Sequence, residues 1–455
     1  MGSDIVVVSN RGPVAFARDD AGKLIPTKAG GGLVNALGPA VEGLGATWIA
    51  AAMSDADREV AEGGRIDAGG YHVRLLTLTP HAYRAYYDVV SNSTLWYLYH
   101  GLFDAVRRPV FDRRWRHAWA EYRAVNAAFA AAVAEDAPEG ATVLVHDYHL
   151  ALLAPHLRDQ RDDLRTVHFH HTPFCGPDEI RMLPHDVAGE LLGALAAHGA
   201  CGFHARRWAD AFAASCKEVL GEAPPTFVSA ATANLDELRA AAAAPSTERA
   251  RRALLDRVGD RAVIARNDRM ELSKNVLRGF LAFEELLDTR PEWHDRVCFV
   301  AYVYPSRQTL ADYLAYRAEC EALAERINAR FSTPAWTPIL LSTDDDFAGA
   351  VAAMRIADVV LVNPVRDGLN LVAKEAVSVN ERDCVLLLST ECGAWDELGE
   401  WAVAVHPFDV SGTAGAMHAA LTMGSEERRS RAGALRAAAA ARGAVDWFRD
   451  LIAET

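Results

Sequence analysis

Positive charge at the start of a predicted helix marks the first candidate site, in the second half of the chain. Residues 266–274 follow a predicted strand, and Arg269 and Lys274 come where the next helix begins. The dipole of a helix favours an anion at its N-terminus, and two cationic side chains add to that preference. This combination suits a diphosphate. A further arginine, Arg307, follows the next predicted strand.

The run 363–375 combines a strand end, a tight turn and a helix start. Its turn lies at Asp367 and Gly368. The main-chain N–H groups of residues 369–372 would face a ligand at the helix N-terminus. Glu375 lies about one turn further along, where its carboxylate can accept hydrogen bonds from two hydroxyls of a ribose. A helix cap with a surface glutamate explains each residue separately but explains the whole run poorly.

A cluster of glycines before a helix is the corresponding feature of the first half. The first predicted strand leads into Ser9-Asn10-Arg11, and Gly30-Gly31-Gly32 then opens a helix. Glycines let main-chain N–H groups approach a phosphate closely, although a plain flexible turn has the same sequence. The stretch lacks the lysine and hydroxyl residue of a P-loop and the spacing of a dinucleotide-binding loop, so ordinary NTPase and dinucleotide functions are excluded.

Aromatic side chains beside small polar ones suit a sugar. Residues 86–96 hold Tyr87 and Trp96 near Asn and Ser side chains, although core packing explains the same residues. The polar segments 146–149 and 169–174 each end a predicted strand. Neither has the ligand spacing of a metal site, so their polar side chains either contact sugar hydroxyls or are structural.

Strands and helices alternate along the whole chain, and the polar motifs fall at strand ends. This alternation is typical of parallel sheets with helices on both faces, and such sheets bind ligands at the carboxyl ends of their strands. A cleft between two such domains is therefore the expected site. The predicted strands are 4–9, 46–50, 71–76, 142–146, 166–170, 200–203, 226–229, 262–266, 297–303, 338–341, 359–362, 385–388 and 402–405.

The length of 455 residues predicts two or three domains. Residues 238–251 include few large apolar side chains and a central Pro-Ser, so we place the boundary between a first domain, 1–237, and a second domain, 248–443. The last segment, 444–455, carries apolar side chains at roughly helical spacing. An apolar helix face of this kind must dock on another part of the protein.

Composition argues against polyanionic partners. The net charge is −14 and the sequence pI is about 5.6, whereas nucleic acids and anionic membranes attract positively charged proteins. No run of the sequence is apolar enough to predict a membrane span. Only five of the 47 basic residues are lysines, so Lys274 stands out within its motif. Seven scattered cysteines and an N-terminus without a signal-peptide pattern predict a cytoplasmic protein with reduced thiols.

Together these motifs resemble the trehalose-6-phosphate synthase family of retaining glycosyltransferases, over almost the whole chain. The resemblance implies the GT-B architecture, an α/β fold of two Rossmann-like, doubly wound domains that face each other across a cleft. It also implies that a C-terminal helix, 444–455, crosses back to the first domain. The residues that carry the resemblance are Ser9-Asn10-Arg11, Gly31-Gly32-Leu33, Tyr86-Tyr87, Asn92, Leu95-Trp96, His146-Asp147-Tyr148-His149-Leu150, His171-Thr172-Pro173-Phe174, Arg269, Ser273-Lys274, Ser306-Arg307 and the run from Arg366 to Glu375.

The resemblance implies a role for each matching position. The 6-phosphate of glucose 6-phosphate would be bound by Arg11, Tyr87, Trp96 and Arg307, and the hydroxyls of that acceptor sugar by Asp147. The donor would be bound by Gly31, Gly32, Arg269, Lys274, Gly368, Leu369, Asn370, Leu371, Val372 and Glu375, with Glu375 on the ribose. The catalytic group would be Arg269, Lys274, His171 and Asp367. The two cations would neutralise charge that grows on the leaving diphosphate.

The same resemblance implies small-molecule substrates, a nucleoside-diphosphate-glucose and glucose 6-phosphate, and no tightly bound cofactor. It leaves stimulation by Mg²⁺ and a homo-oligomeric state open. The acidic run 344–346 is a candidate metal-binding motif, but GT-B enzymes need no protein-held metal to hold the donor. We interpret the run as the acidic start of a helix.

The chain departs from the family pattern in its donor half. Met270-Glu271-Leu272 replaces the usual Leu-Asp-Tyr, Asn275 replaces Gly, and residues 301–305 also differ. The donor base is therefore open between uridine and guanosine, with Asp268 as a candidate acceptor for guanine N–H groups. Two other functions are alternatives. One is a related transferase with another acceptor, such as a glucosylglycerol-phosphate synthase or a pseudo-glycosyltransferase, and the other is a non-catalytic sugar-phosphate sensor.

Overall fold

The structure is a computed structural model. It describes residues 4–19, 21–28, 32–42, 44–68 and 70–454. The chain divides into two compact units. The first unit comprises Met1–Ala231 and Ala444–Thr455, and the second comprises Thr232–Gly443. Each unit is built on its own parallel sheet, as the alternation of strands and helices predicts.

An eight-stranded sheet forms the core of the first unit. Its two central strands are valine-rich and almost entirely buried, which is typical of a parallel sheet covered on both faces. The strands of this unit, including a separate hairpin of β2 and β3, are β1 (Ile5–Val8), β2 (Val14–Arg18), β3 (Leu24–Lys28), β4 (Thr47–Ala51), β5 (Ile66–Asp67), β6 (His72–Leu76), β7 (Thr142–His146), β8 (Arg165–His170), β9 (Ala200–Phe203) and β10 (Thr226–Val228). The order across the sheet is β10-β9-β8-β7-β1-β4-β6-β5, and only β5 pairs antiparallel to its neighbour.

Helices connect these strands. They are α1 (Gly32–Val41), α2 (Asp55–Ala61), α3 (Pro80–Tyr83), α4 (Trp96–His100), α5 (Arg113–Asp136), α6 (Leu153–Arg158), α7 (Pro177–Ile180), α8 (His185–Ala196) and α9 (Arg206–Leu220). A π-helical segment, Arg84–Leu95, joins α3 to α4, and a 3₁₀ turn covers Tyr148–Leu150.

A six-stranded parallel sheet forms the core of the second unit. Its strands are β11 (Ala262–Arg269), β12 (Val297–Tyr304), β13 (Ile339–Ser342), β14 (Val359–Val362), β15 (Val385–Ser389) and β16 (Val403–Val405). The order is β13-β12-β11-β14-β15-β16. This is the doubly wound order, and its two halves meet between β11 and β14. A crevice outside the carboxyl ends of strands at such a point is where open α/β sheets bind ligands.

The helices of the second unit are α10 (Leu235–Ala243), α11 (Pro245–Val258), α12 (Val276–Thr289), α13 (Ala311–Phe331), α14 (Phe347–Ile356), α15 (Leu371–Val379), α16 (Trp395–Leu398), α17 (Val410–Thr422) and α18 (Ser425–Ala439). Two 3₁₀ turns, Leu272–Lys274 and Pro291–Trp293, flank α12.

The division between the units lies earlier than the sequence predicted, at Ala231 and Thr232 instead of between 237 and 248. The segment interpreted as a linker forms α10 and α11, which pack against α14 within the second unit. Leu238 and Leu254 are buried, and Arg355 of α14 donates to the main-chain oxygen of Ala242 at 2.9 Å. Alanine is the strongest helix former, so a scarcity of large apolar residues did not indicate a linker here.

The last helix, α19 (Ala444–Ala453), belongs to the first unit. Trp447, Phe448 and Leu451 are buried, and the Ser229 hydroxyl donates to the Asp450 carboxylate at 2.6 Å. Among the described residues, no helix is both long and apolar enough to cross a membrane.

Candidate functional site

The order of the strands brings two motifs of the second unit together, the segment 266–274 and the run 363–375. β11 and β14 are parallel neighbours, so the segments that follow them start from the same sheet edge. The Lys274 ammonium lies 2.6 Å from the Asp367 carboxylate, and both side chains are almost buried. Burial by itself would lower the pKa of Lys274, but the charges of Asp367 and Asp268 raise it to about 12. Lys274 therefore carries a positive charge at any physiological pH.

Asn275 connects this loop to the strands around it. It has a φ of +62°, in the left-handed region where the family pattern has glycine, and asparagine tolerates that conformation better than most residues. Its side-chain amide donates to the main-chain oxygens of Asn363 at 3.0 Å and Pro407 at 2.7 Å, and its Oδ1 accepts from Arg278 at 2.9 Å. The substitution thus keeps the backbone conformation and adds three contacts.

Asp268 does not fit the guanine-binding role considered from the sequence. Its carboxylate is buried and lies 3.0 Å from the guanidinium of Arg266, a fully buried side chain that also donates to Asn363 Oδ1 at 2.7 Å. Burial raises the pKa of Asp268, although the charges of Arg266 and Lys274 oppose this. The carboxylate is therefore part of the ion network beneath the Lys274 loop.

Glu271 is a site residue that the sequence reasoning missed. Its side chain is buried, and its Oε1 atom lies 2.8 Å from Arg269 and 3.1 Å from Arg307 and accepts from the Ser306 hydroxyl at 2.9 Å. Burial would raise the pKa of Glu271, but the charges of Arg269, Arg307 and Lys274 outweigh it and lower the pKa to about 2. The only signal in the sequence was a carboxylate between two cations in the altered motif.

The turn at Asp367 and Gly368 is supported by a second loop, residues 391–394, that the sequence reasoning also missed. Gly393 N–H donates to Asp367 O at 3.0 Å, and Ala394 N–H donates to Leu369 O at 2.8 Å. A Cβ atom on Gly393 would lie 1.9 Å from Gly368 O, so only glycine allows this close approach. The turn is therefore held in position by main-chain contacts.

The start of α15 differs in detail from the prediction. Leu369 N–H points to the Asp367 carboxylate at 3.4 Å, and Asn370, with φ of +71°, donates its side-chain amide to the same carboxylate at 3.2 Å. The N–H groups of Leu371 and Val372 begin the helix. Those first-turn groups have no partner within their own helix, which leaves them to bind an anion.

Glu375 lies in α15 with its side chain partly exposed. Burial raises the pKa of Glu375 to about 7. The preceding Lys374 is 1% exposed and lies 2.6 Å from Glu397, so it is a structural cation. Of the two residues, only Glu375 is available to a ligand.

Arg307 also belongs to the second unit, whereas the other predicted acceptor residues lie in the first. Its φ of +44° is unusual for a non-glycine residue. The guanidinium donates to Tyr313 OH at 2.7 Å as well as to Glu271, and it lies over the Tyr313 ring. Its head group is therefore held in one orientation.

In the first unit, Arg11, Tyr87 and Asp147 are the accessible members of the predicted acceptor set. Arg11 is exposed just after β1, where its main-chain oxygen accepts from Ser9 Oγ at 2.7 Å. The Tyr87 ring stacks on His149 at 5.6 Å. Trp96 is 2% exposed, so its indole belongs mainly to the core. Gly31 lies outside the described residues, and Gly32 is the first residue of α1.

The polar residues near Tyr87 have a structural explanation. The side chains of Ser91, Asn92 and Thr94 donate to main-chain oxygens five residues earlier, at 2.8, 2.9 and 2.9 Å. This is the spacing of the π-helix, whose wide turns these bonds support. The Asn and Ser side chains therefore stabilise the segment and do not form a sugar site.

Asp147 and His171 are adjacent, as parallel pairing of β7 and β8 requires. Asp147 has a φ of +69°, a strained backbone for aspartate, and its Oδ1 accepts from His171 N–H at 3.3 Å. The two ring nitrogens of His171 lie within hydrogen-bonding distance of the imidazoles of His146 and His204. As placed, the His171 ring offers no nitrogen to a sugar.

The acidic run 344–346 starts a helix, as interpreted from the sequence. Asp346 is the N-cap of α14 and accepts from Gly349 N–H at 2.8 Å. Within the described part of the chain, no group of three or more His, Cys, Asp or Glu side chains is arranged to hold a metal ion.

Known proteins match the chain over its whole length. The model of glycosyltransferase family 20 matches residues 3–455. A trehalose-6-phosphate synthase from Mycobacterium sp. strain KMS is 33% identical over 487 residues, which covers 100% of this chain and 96% of the relative. Some other curated relatives are longer, and the chain spans between 47% and 63% of their length.

Two solved structures are similar to both units. The E. coli trehalose-6-phosphate structure bound with UDP-2-fluoro glucose has a TM-score of 0.87 at 27% identity, covering 99% of this chain and 98% of that one. The UDP-forming α,α-trehalose-phosphate synthase from Burkholderia xenovorans in complex with glucose-6-phosphate has a TM-score of 0.85 at 28% identity, covering 98% and 99%. Two Rossmann-like sheets and these similarities confirm the GT-B class, and the chain belongs to glycosyltransferase family 20.

Proposed function

We propose that this chain is a retaining glucosyltransferase that makes α,α-trehalose 6-phosphate from UDP-glucose and glucose 6-phosphate. The observation that carries the proposal is the contact of Lys274 with Asp367 beside Arg269 at one sheet edge of the second unit. This edge supplies fixed positive charge and, at the start of α15, the N–H groups of Leu371 and Val372. Relatives named for this reaction support the same assignment.

The donor is assigned to the second unit. Arg269 and Lys274 contact the diphosphate and stabilise the negative charge that develops on it as the glycosidic bond breaks. Because the pKa of Lys274 is raised, the residue acts as a fixed charge and not as a proton donor. Glu375 accepts from the ribose hydroxyls, and Asp367 with the turn at Gly368 contacts the transferred glucose.

The acceptor is assigned to Arg11, Tyr87, Asp147 and Arg307, with Trp96 supporting them from the core. The two arginines bind the phosphate of glucose 6-phosphate, which distinguishes the phosphorylated sugar from free glucose. In a front-face reaction the departing phosphate oxygen accepts the proton of the attacking hydroxyl, so no protein base is required. His171 acts in this scheme through its position beside Asp147.

Uridine is the donor base that the observations favour. The buried ion pair of Asp268 removes the carboxylate that would have recognised guanine, and the E. coli structure holds a UDP-sugar analogue. Steady-state kinetics with UDP-, GDP- and ADP-glucose test the base. A GDP-glucose preference in kcat/KM would contradict it.

The acceptor is tested in the same panel. Glucose 6-phosphate, glycerol 3-phosphate and free glucose are offered with UDP-glucose, and the products are identified by mass spectrometry and NMR. Trehalose 6-phosphate as the main product is expected. Preferential transfer to glycerol 3-phosphate would indicate a different transferase, and binding without transfer would indicate a sensor.

We propose that no tightly bound cofactor is needed, and that Mg²⁺ stimulates without being held by the protein. Activity that persists after treatment with EDTA and rises when Mg²⁺ is added back is the expected result. All seven cysteines are buried as thiols, which supports a reducing, cytoplasmic setting. A homo-oligomer is testable by light scattering.

A further inference from the structure

We propose that Glu271 is a positioning residue shared by the donor and acceptor anion sites, because one carboxylate oxygen orients both Arg269 and Arg307. This inference rests on the proposed function for the identity of the two ligands. It concerns a residue that contacts neither ligand in that scheme and acts through the two arginines.

The contacts converge on a single atom. Glu271 Oε1 is within 2.8 Å of Arg269 Nη1 and 3.1 Å of Arg307 Nη1, and the Ser306 hydroxyl donates to it at 2.9 Å. The Glu271 side chain is 1% exposed, whereas that of Arg269 is 45% exposed. The carboxylate therefore lies beneath the guanidinium of Arg269 and leaves part of it open to a ligand.

Charge explains why a carboxylate is needed here. Two guanidinium groups that contact the same oxygen atom repel each other. This repulsion is stronger in a partly buried site than in bulk water, because the effective dielectric constant is lower there. Burial and the charge of Arg307 both act to lower the pKa of Arg269, but the pKa is raised, with the Glu271 carboxylate as the largest opposing influence and Asp367 adding to it. Without that negative charge, the two arginines would separate.

Main-chain hydrogen bonds fix Glu271 between Arg269 and Lys274. Glu271 N–H donates to Arg269 O at 2.8 Å, and Lys274 N–H donates to Glu271 O at 3.0 Å. Glu271 is therefore the N-cap of the 3₁₀ turn that contains Lys274. Arg307 has a second anchor in Tyr313, whereas the contact of Arg269 with Glu271 fixes an otherwise half-exposed side chain.

The chain offers a matched control in Glu284. This carboxylate is also nearly buried in the second unit and also contacts two arginines, Arg326 at 2.7 Å and Arg330 at 3.3 Å. It lies on α12 and α13 supplies its partners, away from the turn that contains Lys274. Glu284→Gln therefore reproduces the loss of a shared buried carboxylate without touching either proposed ligand site.

Calorimetry on the full chain tests the inference without depending on turnover. The Kd for UDP is measured alone, and the Kd for glucose 6-phosphate is measured with UDP at saturation, for wild type, Glu271→Gln and Glu284→Gln. We expect Glu271→Gln to raise both Kd values about tenfold, equivalent to about 1.4 kcal/mol each. Glu284→Gln should leave both unchanged while lowering Tm. A rise in only one Kd, unchanged values, or equal effects in the control would overturn the inference.

Two further measurements separate the outcomes. If Glu271→Gln fails to fold, Glu271→Asp keeps the charge on a side chain one methylene shorter, and we expect both Kd values to rise by severalfold. Wild-type values for both ligands in the Asp variant would overturn the inference. Transfer by the wild type is assayed separately. Its absence would contradict the proposed function, and the binding data would still decide the role of Glu271.

Discussion

The Nδ1 atom of His171 lies 3.1 Å from the Nε2 atom of His204, and this contact is one step in a chain of three imidazoles. Ala231 N–H donates to His204 Nδ1 at 3.2 Å, so a neutral His204 carries its proton on Nε2 and donates to His171. His171 in turn carries its proton on Nε2 and donates to His146 Nδ1 at 3.0 Å. A main-chain amide thus determines the tautomer of every ring in the chain.

Buried histidines should make the fold sensitive to acid. Burial lowers the pKa of His171 to about 3, and burial lowers the pKa of His198 to about 3 as well. Below pH 6.5 these histidines bind protons in the unfolded chain but stay neutral in the folded chain. The free energy of unfolding should therefore decrease as the pH is lowered, by up to about 1.4 kcal/mol per pH unit for each ring. Urea unfolding at pH 7.5, 6.0 and 5.0 measures this slope. His198→Leu should reduce it, and an unchanged slope would contradict the prediction.

Arg307→Ala should weaken the use of glucose 6-phosphate more than that of the donor. A charged hydrogen bond contributes about 1.5–3 kcal/mol, so the KM for glucose 6-phosphate should rise about 10- to 100-fold. Arg317→Ala, which removes an arginine paired with Glu321 on α13, is the matched control and should change neither KM. Equal increases in both KM values for Arg307→Ala would refute its assignment to the acceptor.

Lys274→Ala should lower kcat by about 10²- to 10³-fold, in line with the loss of one group that stabilises developing charge. The contact with Asp367 adds a second expectation, since removing one partner of a buried pair leaves an uncompensated charge and destabilises the fold. Asp367→Asn combined with Lys274→Ala should recover stability but not turnover. A single variant with near-normal kcat would remove Lys274 from the diphosphate site.

Asn275→Ala should be less stable than Asn275→Gly, although both lose the side-chain contacts. Alanine at a φ of +62° adds a conformational cost of about 1–2 kcal/mol that glycine avoids. Equilibrium unfolding in urea measures the difference. Equal stability of the two variants would show that the backbone relaxes at this position.

Glu375 should make donor binding depend on pH. Its pKa of about 7 means that the carboxylate which accepts from the ribose becomes fully ionised only above neutrality. The KM for UDP-glucose should therefore fall as pH rises from 6 to 8, and the fall should be absent in Glu375→Gln. A pH profile of the variant parallel to that of the wild type would assign the titration to another group.

Strand positions and motif locations could be predicted from the sequence, because β-branched runs and the polar residues that follow them are local features. The contact between Lys274 and Asp367 could not be predicted from local features of this type. It joins residues far apart in the chain and depends on β11 lying beside β14, which no local pattern specifies. The resemblance to a family supplied what strand periodicity could not.

Other features were missed for physical reasons that can be named. The hairpin of β2 and β3 packs beside α2, and its β3 strand contains Pro26, a residue that argues against a strand in a sequence-based prediction. The π-helix has a hydrogen-bond spacing that helical periodicity does not anticipate. Glu271 looked like an ordinary surface carboxylate because Arg307 becomes its neighbour only after folding.

The division of the chain has a consequence for synthesis. Trp447 of α19 packs against the rings of His146, His171 and His204, yet it is translated after the whole of the second unit. The second unit is continuous in sequence and can fold as soon as it leaves the ribosome. The first unit, although most of it emerges earlier, must wait for α19 to close its core. The part of this protein that is made first is therefore the part that finishes folding last.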